Sequence, residues 1–220
     1  MVLRLQPWLL DKERSMKYLA SYPRSGNKMF LHALHYGLGM KCRTVYHVPD
    51  MPSEIAPRWD RVEVIDFLKT HELPVGKTPA IYLVRDPRDV FCSYALWTQK
   101  TTKWTDETTR IAEGFIEGRG YRDSGAYGGW SEHVRQWRSV ATVVLRYEDC
   151  FMDPIGALQK VLGIQERVGD TPSFQSLQAN CGWYFQHGHP GRWNDMPDWL
   201  VRKTEDLHGT MMRELGYETR

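Results

Sequence analysis

The chain has 220 residues, a formal net charge of +2, 41% hydrophobic and 25% charged residues. This describes a globular protein with a sizeable core, and we expect a single domain over residues 1–220. The small net charge gives no argument for a nucleic-acid or membrane-surface partner, and no apolar run approaches the ~20 residues that span a bilayer. The scattered cysteines, without a C-x-x-C pair, favour free thiols and a cytoplasmic protein; they are Cys42, Cys92, Cys150 and Cys181.

Strand-like and helix-like segments alternate along the chain. Apolar, β-branched runs predict strands at 17–22, 62–68, 79–84 and 141–146. Helical patterns occur at 27–39, 87–100, 130–138, 153–163 and 197–215. The alternation predicts an α/β fold in which helices flank a central, mainly parallel sheet. The glycine-rich stretch 114–129 predicts a mobile loop.

The turn between the first strand and the first helix reads YPRSGNKMF, residues 22–30. The first N–H groups of a helix attract anions, and Gly26 lets the main chain approach a ligand closely. Arg24 and Lys28 add the positive charge that a phosphate or sulfate requires. This pattern predicts an anion-binding loop. The alternative is an ordinary helix start capped by Ser25 or Asn27.

The same turn differs from the Walker A pattern G-x-x-x-x-G-K-[ST]. Asn27 rather than lysine follows Gly26, and Met29 follows Lys28, so the hydroxyl that would bind Mg²⁺ is absent. The sequence therefore predicts a P-loop-like strand–loop–helix that binds phosphate without a metal.

Three further clusters follow predicted strands. KTHELP (69–74) places Lys69 and His71 on one side of an extended segment. VRDPRDVFCSY (84–94) has Arg85 at a strand end and Ser93 in the next helix, and LRYEDCFMDP (145–154) begins with a strand that ends before Tyr147. Parallel sheets bind ligands at the carboxyl ends of their strands, so we expect the clusters to converge on one site.

These motifs, with YGGWSEHVRQW (127–137) and FQHGHPGRW (185–193), resemble in order those of the PAPS-dependent sulfotransferases, especially the cytosolic enzymes that act on small molecules. The resemblance implies metal-independent transfer of a sulfonate group from 3′-phosphoadenosine 5′-phosphosulfate (PAPS) to a hydroxyl, phenol or amine of a small molecule. The nucleotide product would be adenosine 3′,5′-bisphosphate (PAP).

The resemblance also implies roles for individual residues. His71 would be the general base, with Lys69 on the sulfuryl oxygens and Arg24 on the bridging oxygen and 5′-phosphate. The remaining cofactor contacts would come from Ser25, Gly26, Asn27, Lys28 and Met29 in the first loop, from Arg85 and Ser93 on the 3′-phosphate, from Tyr147 beside the adenine, and from Gln186, His187 and Gly188 in the C-terminal loop. A structural alternative makes Arg85 an ion-pair partner of Asp86 or Asp89.

The C-terminal loop departs from the family pattern. Gln186 and His187 stand where the family has arginine and lysine, and Arg192 replaces an acidic residue. Arg192 or Arg202 could compensate, and the sequence does not decide between them. The family's dimer motif is unmatched, so the sequence does not predict an oligomeric state.

The sequence contains less information about where the acceptor binds. We expect the stretch 97–130 to cover the acceptor, with Trp97, Trp104, Phe115 and Tyr121 as apolar walls; the alternative location is 43–60. Two other functions remain open at this point: a P-loop kinase-like phosphotransferase, and a nucleotide-binding relative without catalytic activity.

Overall fold

The computed structural model describes residues 17–44, 66–74, 76, 79–119, 127–181 and 188–220. Its sheet has the strand order β2–β3–β1–β4–β5, and every pairing is parallel. The strands are β1 (Lys17–Ser21), β2 (Cys42–Thr44), β3 (Phe67–Thr70), β4 (Ala80–Val84) and β5 (Val143–Arg146). The predicted α/β class with a parallel sheet is confirmed.

The helices lie between and after these strands. They are α1 (Asn27–His32), which continues as a π-helix (Ala33–Gly37), α2 (Pro87–Thr98), α3 (Asp106–Ile116), α4 (Trp130–Val140), α5 (Tyr147–Cys150), α6 (Pro154–Leu162), α7 (Phe174–Cys181) and α8 (Asp198–Glu214), with a 3-10 turn at Arg192–Asp195. None of the helices in the described part of the chain is long and apolar enough to cross a membrane.

Helix α3 contradicts part of the predicted loop 114–129. Thr105 and Thr108 form a reciprocal capping box at its start, and the helix runs to Ile116, so Gly114 and Phe115 are helical. Phe115 is a core residue, 1% exposed, and its ring stacks on that of Tyr94 at 3.8 Å. It packs inside the protein and is not the acceptor wall that we expected.

Strand β3 lies later in the chain than predicted. The pattern at 62–68 gave a strand that ends before Lys69, whereas β3 runs from Phe67 to Thr70 and includes that lysine. The strand extends this far because β3 pairs in parallel with β1, and in this pairing Leu19 of β1 lies opposite Lys69. Residues 62–65 lie outside the described part of the chain.

Two apolar clusters cover the two faces of the sheet. Alternate strand residues point in opposite directions: Ala20 and Tyr82 belong to one cluster, and Leu19 and Ile81 to the other. Helices α2, α3, α4 and α8 supply the first cluster, whereas α1 and α6 contribute to the second. The sheet is thus buried on both sides, as the continuous apolar strands require.

Strand β1 is the point at which the strand order changes direction. The chain leaves β1 toward β2 and β3 on one side and later forms β4 on the other. Such a switch point opens a crevice at the carboxyl ends of the strands, where ligands of α/β proteins bind.

Candidate functional site: an anion-binding crevice

The loop after β1 has a main-chain conformation that favours glycine. Gly26 has φ +88°, in the left-handed region, directly before α1. A Cβ atom on Gly26 would lie 2.3 Å from the ring of Tyr147. Both the conformation and the space exclude a side chain, so the main chain of this loop lies against the tyrosine ring.

The Asn27 side chain fastens the loop to two strand ends. Its Nδ2 donates to Ser21 Oγ at 2.9 Å, to the carbonyl of Leu19 at 3.2 Å and to that of Thr70 at 3.3 Å. The amide donors therefore hold β1 and β3 together. Ser25 is 0% exposed, and its Oγ has no hydrogen-bond partner among the described residues.

Lys69 and His71 form a close pair at the end of β3. Lys69 Nζ lies 3.2 Å from His71 Nε2, and His71 Nδ1 lies 2.8 Å from the carbonyl oxygen of Ser21. A carbonyl only accepts, so Nδ1 carries the proton and Nε2 holds the lone pair. Burial and the neighbouring Lys69 hold the pKa of His71 well below its usual range. Burial and Lys28 lower the pKa of Lys69 to about 7.

Two buried side chains, linked by hydrogen bonds, hold the main chain of His71 in place. His133 Nε2 donates to the His71 carbonyl at 2.9 Å, and the Tyr82 hydroxyl donates to His133 Nδ1 at 2.9 Å. His133 and Tyr82 are both 0% exposed, and burial lowers the pKa of His133 to about 4. The imidazole is neutral and both its nitrogens are used.

Arg85 lies at the end of β4 and connects the loop after β1 with the C-terminal loop. It donates to the carbonyl oxygens of Arg24 and His189, both at 3.4 Å. Its guanidinium lies over the Tyr147 ring at 4.5 Å and pairs with Asp89 at 3.3 Å. The ion pair of the structural alternative therefore exists, with Asp89. The buried Arg85 Nε has no partner among the described residues.

Asp89 fixes the C-terminal loop beside Arg85. One carboxylate oxygen accepts from the main-chain N–H of Gly191 at 2.9 Å, and the other from that of Trp193 at 3.0 Å. The Tyr147 hydroxyl donates to the carbonyl of Gly188 at 2.5 Å. Two side chains thus hold this loop against the crevice.

Arg24 closes the other side of the crevice. Its Nε donates to Ser93 Oγ at 3.2 Å, and its guanidinium lies 5.0 Å from the centre of the Trp97 ring. Arg24 itself has φ +70°, which is uncommon for a residue with a side chain.

The remaining predicted residues divide into three groups. Lys28 is partly buried and close enough to Lys69 to lower its pKa. Met29 packs against the apolar cluster on the α1 side. Gln186 and His187 lie outside the described residues.

Sequence reasoning missed His133 and Tyr82, and it named Asp89 only as an alternative ion-pair partner of Arg85. A signal for His133 existed, because the buried residues of α4 (Trp130, His133, Val134 and Trp137) follow helical spacing. An imidazole in such a stripe needs polar partners inside the core. Nothing in the local pattern indicated that one partner would be the carbonyl of His71.

The charges of the crevice favour an anion. The basic side chains of Arg24, Lys69 and Arg85 lie around it. The one carboxylate described there, that of Asp89, is engaged with Arg85 and two main-chain N–H groups. Ser25 Oγ and Arg85 Nε are buried polar atoms for which phosphate oxygens are suitable partners. The fold and crevice define a class of parallel α/β proteins with an anion-binding loop after the first strand.

Comparison with known proteins identifies the family. The sequence model of the sulfotransferase domain matches residues 68–181, so the chain belongs to the sulfotransferase family. It is 37% identical over 92 residues to Sulfotransferase 2A2 of Rattus norvegicus, which covers 39% of this chain and 30% of the relative. It is 28% identical over 162 residues to a 3-alpha-hydroxysteroid sulfotransferase of Cavia porcellus, covering 56% of this chain and 55% of the relative. The chain thus matches about a third to a half of the length of these relatives.

Solved structures have the same fold. Mouse sulfotransferase SULT7A1, complexed with PAP, superposes with a TM-score of 0.69 at 19% identity, covering 90% of this chain and 84% of the other. Retinol dehydratase, in a complex with retinol and PAP, gives a TM-score of 0.60 at 16% identity, covering 99% and 84%.

Proposed function

We propose that this protein is a PAPS-dependent sulfotransferase that transfers a sulfonate group to a hydroxyl, phenol or amine of a small-molecule acceptor. The Lys69–His71 pair carries this proposal, because a neutral imidazole with its Nε2 lone pair toward Lys69 suits removal of an acceptor proton. Family membership supports the nucleotide, as do the structurally similar proteins that bind PAP.

We assign the chemistry to groups around His71. When bound, PAPS supplies the sulfonate group and leaves as PAP. His71 Nε2 takes the proton of the acceptor, and its Nδ1–H stays bonded to the carbonyl of Ser21. Lys69 donates to the sulfuryl oxygens and holds the group in place while negative charge develops on the leaving phosphate. Arg24 stabilises the leaving phosphate by charge alone, since a guanidinium does not release its proton.

We assign cofactor recognition to the loop after β1 and to the crevice around Arg85. Ser25, Gly26, Asn27 and Lys28 bind the phosphosulfate end, with Asn27 acting through its main chain because its side-chain N–H groups are engaged. Met29 packs against the adenine. Arg85 and Ser93 bind the 3′-phosphate, Tyr147 lies beside the adenine, and Gln186, His187 and Gly188 follow in the C-terminal loop. The unpartnered Ser25 Oγ and Arg85 Nε support this assignment.

The experiment is a comparison of nucleotides. PAP at a hundredfold excess over its dissociation constant should stabilise the fold by about 2.7 kcal/mol. Adenosine 5′-monophosphate (AMP), which lacks the 3′-phosphate, should bind more weakly. Equal affinity for PAP and AMP, or a Mg²⁺-dependent preference for ATP, would contradict the proposal.

The other functions have less support. A kinase-like phosphotransferase needs a hydroxyl after the lysine of its phosphate loop, and Met29 stands there. A relative that binds nucleotide without catalysis would not need the Lys69–His71 pair.

We also propose that residues 1–220 form one sulfotransferase domain and that the protein is cytoplasmic. The sheet shared by the two core clusters supports one domain. Cys42, Cys92 and Cys150 are free thiols, which supports a reducing compartment.

A further inference from the structure

We propose that Asn27 is a positioning residue for His71: its side-chain amide fixes the segment that carries the base, while its main chain belongs to the loop after β1. This inference rests on the proposed function, because it concerns the geometry of the same reaction. The sequence indicated Asn27 only as a cofactor contact or a helix cap. In the structure the N-cap of α1 is Gly26, and the Asn27 side chain points to the strands instead.

The Asn27 amide reaches His71 by two routes. Its Nδ2 donates to the carbonyl of Thr70 at 3.3 Å, and Thr70 directly precedes His71 in the chain. Nδ2 also donates to Ser21 Oγ at 2.9 Å, and this oxygen lies 3.3 Å from His71 Nδ1. The carbonyl of the same serine accepts from His71 Nδ1 at 2.8 Å. A displacement of the amide would therefore move both the main chain and the imidazole of His71.

The orientation of the Asn27 amide follows from its neighbours. Leu19 and Thr70 present carbonyl oxygens, which only accept, so the amide nitrogen faces them and the amide oxygen does not. Asn27 is 3% exposed and Ser21 is 0% exposed. Hydrogen bonds in such a buried place are not readily replaced by water, so the position of the amide is well defined.

The contacts of Asn27 lie where the pairing of β1 with β3 ends. The last pair in the register is Ala20 with Thr70, and β3 ends at Thr70. The pairing of the strands therefore stops one residue before His71. The Asn27 amide connects the two strands at this point, because it donates to Ser21 on β1 and to Thr70 on β3.

Two side chains of α4 also hold the segment around His71. His133 donates to the carbonyl of His71 at 2.9 Å, and Trp137 Nε1 donates to the carbonyl of Glu72 at 2.9 Å. Asn27 differs from both because it belongs to the loop that we assign to the phosphosulfate. It thereby links the position of the sulfonate donor to that of the base, and group transfer depends on the distance and angle between them.

The kinetic test uses Asn27→Leu, which removes the amide donors and keeps a similar volume. Its kcat should fall roughly ten- to hundredfold, while its dissociation constant for PAP stays within about threefold of wild type. The matched control is Thr204→Val, which removes another buried donor, the Thr204 hydroxyl that bonds to the carbonyl of Leu200 at 2.8 Å. This control should keep kcat. An unchanged kcat in Asn27→Leu, an equal loss in Thr204→Val, or a loss of PAP affinity as large as the loss of kcat overturns the inference.

A second variant, Ser21→Ala, removes the hydroxyl that lies between the Asn27 amide and His71 Nδ1. It leaves the strand main chain intact, so it tests the inference even if Asn27→Leu does not fold. Its kcat should fall with PAP affinity retained, and its effect should not add to that of Asn27→Leu, because the two residues act through one contact. A wild-type kcat in Ser21→Ala, or fully additive losses, overturns the inference.

Nitrogen-15 spectra of the imidazoles report the state of His71 without turnover. The His71 signals are assigned by their loss in His71→Ala. Wild-type protein should show the Nδ1–H tautomer, whereas Asn27→Leu and Ser21→Ala should shift the Nδ1 signal or populate the Nε2–H tautomer; Thr204→Val should match the wild type. His71 signals identical to wild type in both variants overturn the inference. If the wild-type protein does not transfer sulfonate from PAPS, it is the proposed function that fails, and the spectra still decide whether Asn27 positions His71.

Discussion

His133 Nε2 donates a hydrogen bond to the main-chain carbonyl of His71 at 2.9 Å, whereas Lys69 contacts the imidazole of the same residue. The imidazole that we assign as the base is thus fixed through its own main chain by a second, fully buried imidazole. Its other nitrogen accepts from Tyr82, so the position of His71 is linked to the core of the sheet.

Replacing His133 should affect catalysis through the position of His71. His133→Leu removes one hydrogen bond from the Tyr82 hydroxyl and one from the His71 carbonyl, which should lower the free energy of unfolding by about 1–3 kcal/mol. Misplacement of the base should lower kcat roughly ten- to hundredfold, with the PAP affinity unchanged. Unfolding curves, kcat and PAP titrations measure the three effects.

His208 provides the matched control. It is also buried and also uses both nitrogens, at 2.8 Å from Ser131 Oγ and 2.9 Å from the Ile116 carbonyl. His208→Leu should cost similar stability and leave kcat intact. If both variants lower kcat equally, His133 has only a structural role.

PAP binding should be accompanied by proton uptake at Lys69. The lysine has a pKa of about 7, so it is largely neutral at pH 8. A bound anion favours the charged ammonium and raises this pKa, so the complex takes up a proton and PAP affinity falls as the pH rises above about 7. Calorimetry at pH 8 in buffers of different ionisation enthalpy should detect the uptake in wild-type protein but not in Lys69→Met. Buffer-independent heats in the wild type would contradict the prediction.

The loop after β1 should not tolerate a side chain at position 26. Gly26→Ala places Cβ 2.3 Å from the Tyr147 ring, in addition to the cost of about 1–2 kcal/mol for a left-handed non-glycine residue. Loss of PAP binding and a lower unfolding midpoint should follow. Gly76→Ala is the control, since Gly76 has φ +72° but no described residue lies within 4 Å of its Cβ position. PAP binding by Gly26→Ala at wild-type affinity would show that the ring and loop separate easily.

His71 and Arg85 should show opposite kinetic effects. His71→Ala should lose turnover while binding PAP almost normally, because a base acts on the transition state more than on the bound nucleotide. Arg85→Ala should weaken PAP first. Turnover of about a tenth of wild type or more in His71→Ala would exclude His71 as the base.

The fold was largely predictable because parallel α/β domains have a strong local pattern. Apolar strands, and helix starts such as Asp86–Pro87, gave the class and most elements. Strand β2 was missed because its three residues, Cys42–Thr44, are too few for a pattern. Helix α3 was missed because its glycine and threonines argued for a loop, whereas its capping box and buried face decided otherwise.

The site was predictable as a set of residue types but not as a set of contacts. The predicted strand ends indicated that Lys69, His71 and Arg85 belong to the site, because the carboxyl ends of parallel strands lie at the same edge of the sheet. The bonds of His133 to His71 and of Asp89 to Gly191 join residues far apart in sequence. Such contacts depend on how helices pack on the sheet, and no local pattern contains that information.

The Asp89 carboxylate has a consequence for the kinetics of nucleotide exchange. An anion arriving at Arg85 competes with Asp89 for one guanidinium, and Asp89 is also the anchor of the loop at Gly191 and Trp193. After the anion leaves, we expect the carboxylate to pair with Arg85 again. We therefore expect Asp89 to be an internal counter-ion that shortens the residence time of a bound anion and keeps the C-terminal loop attached to the crevice.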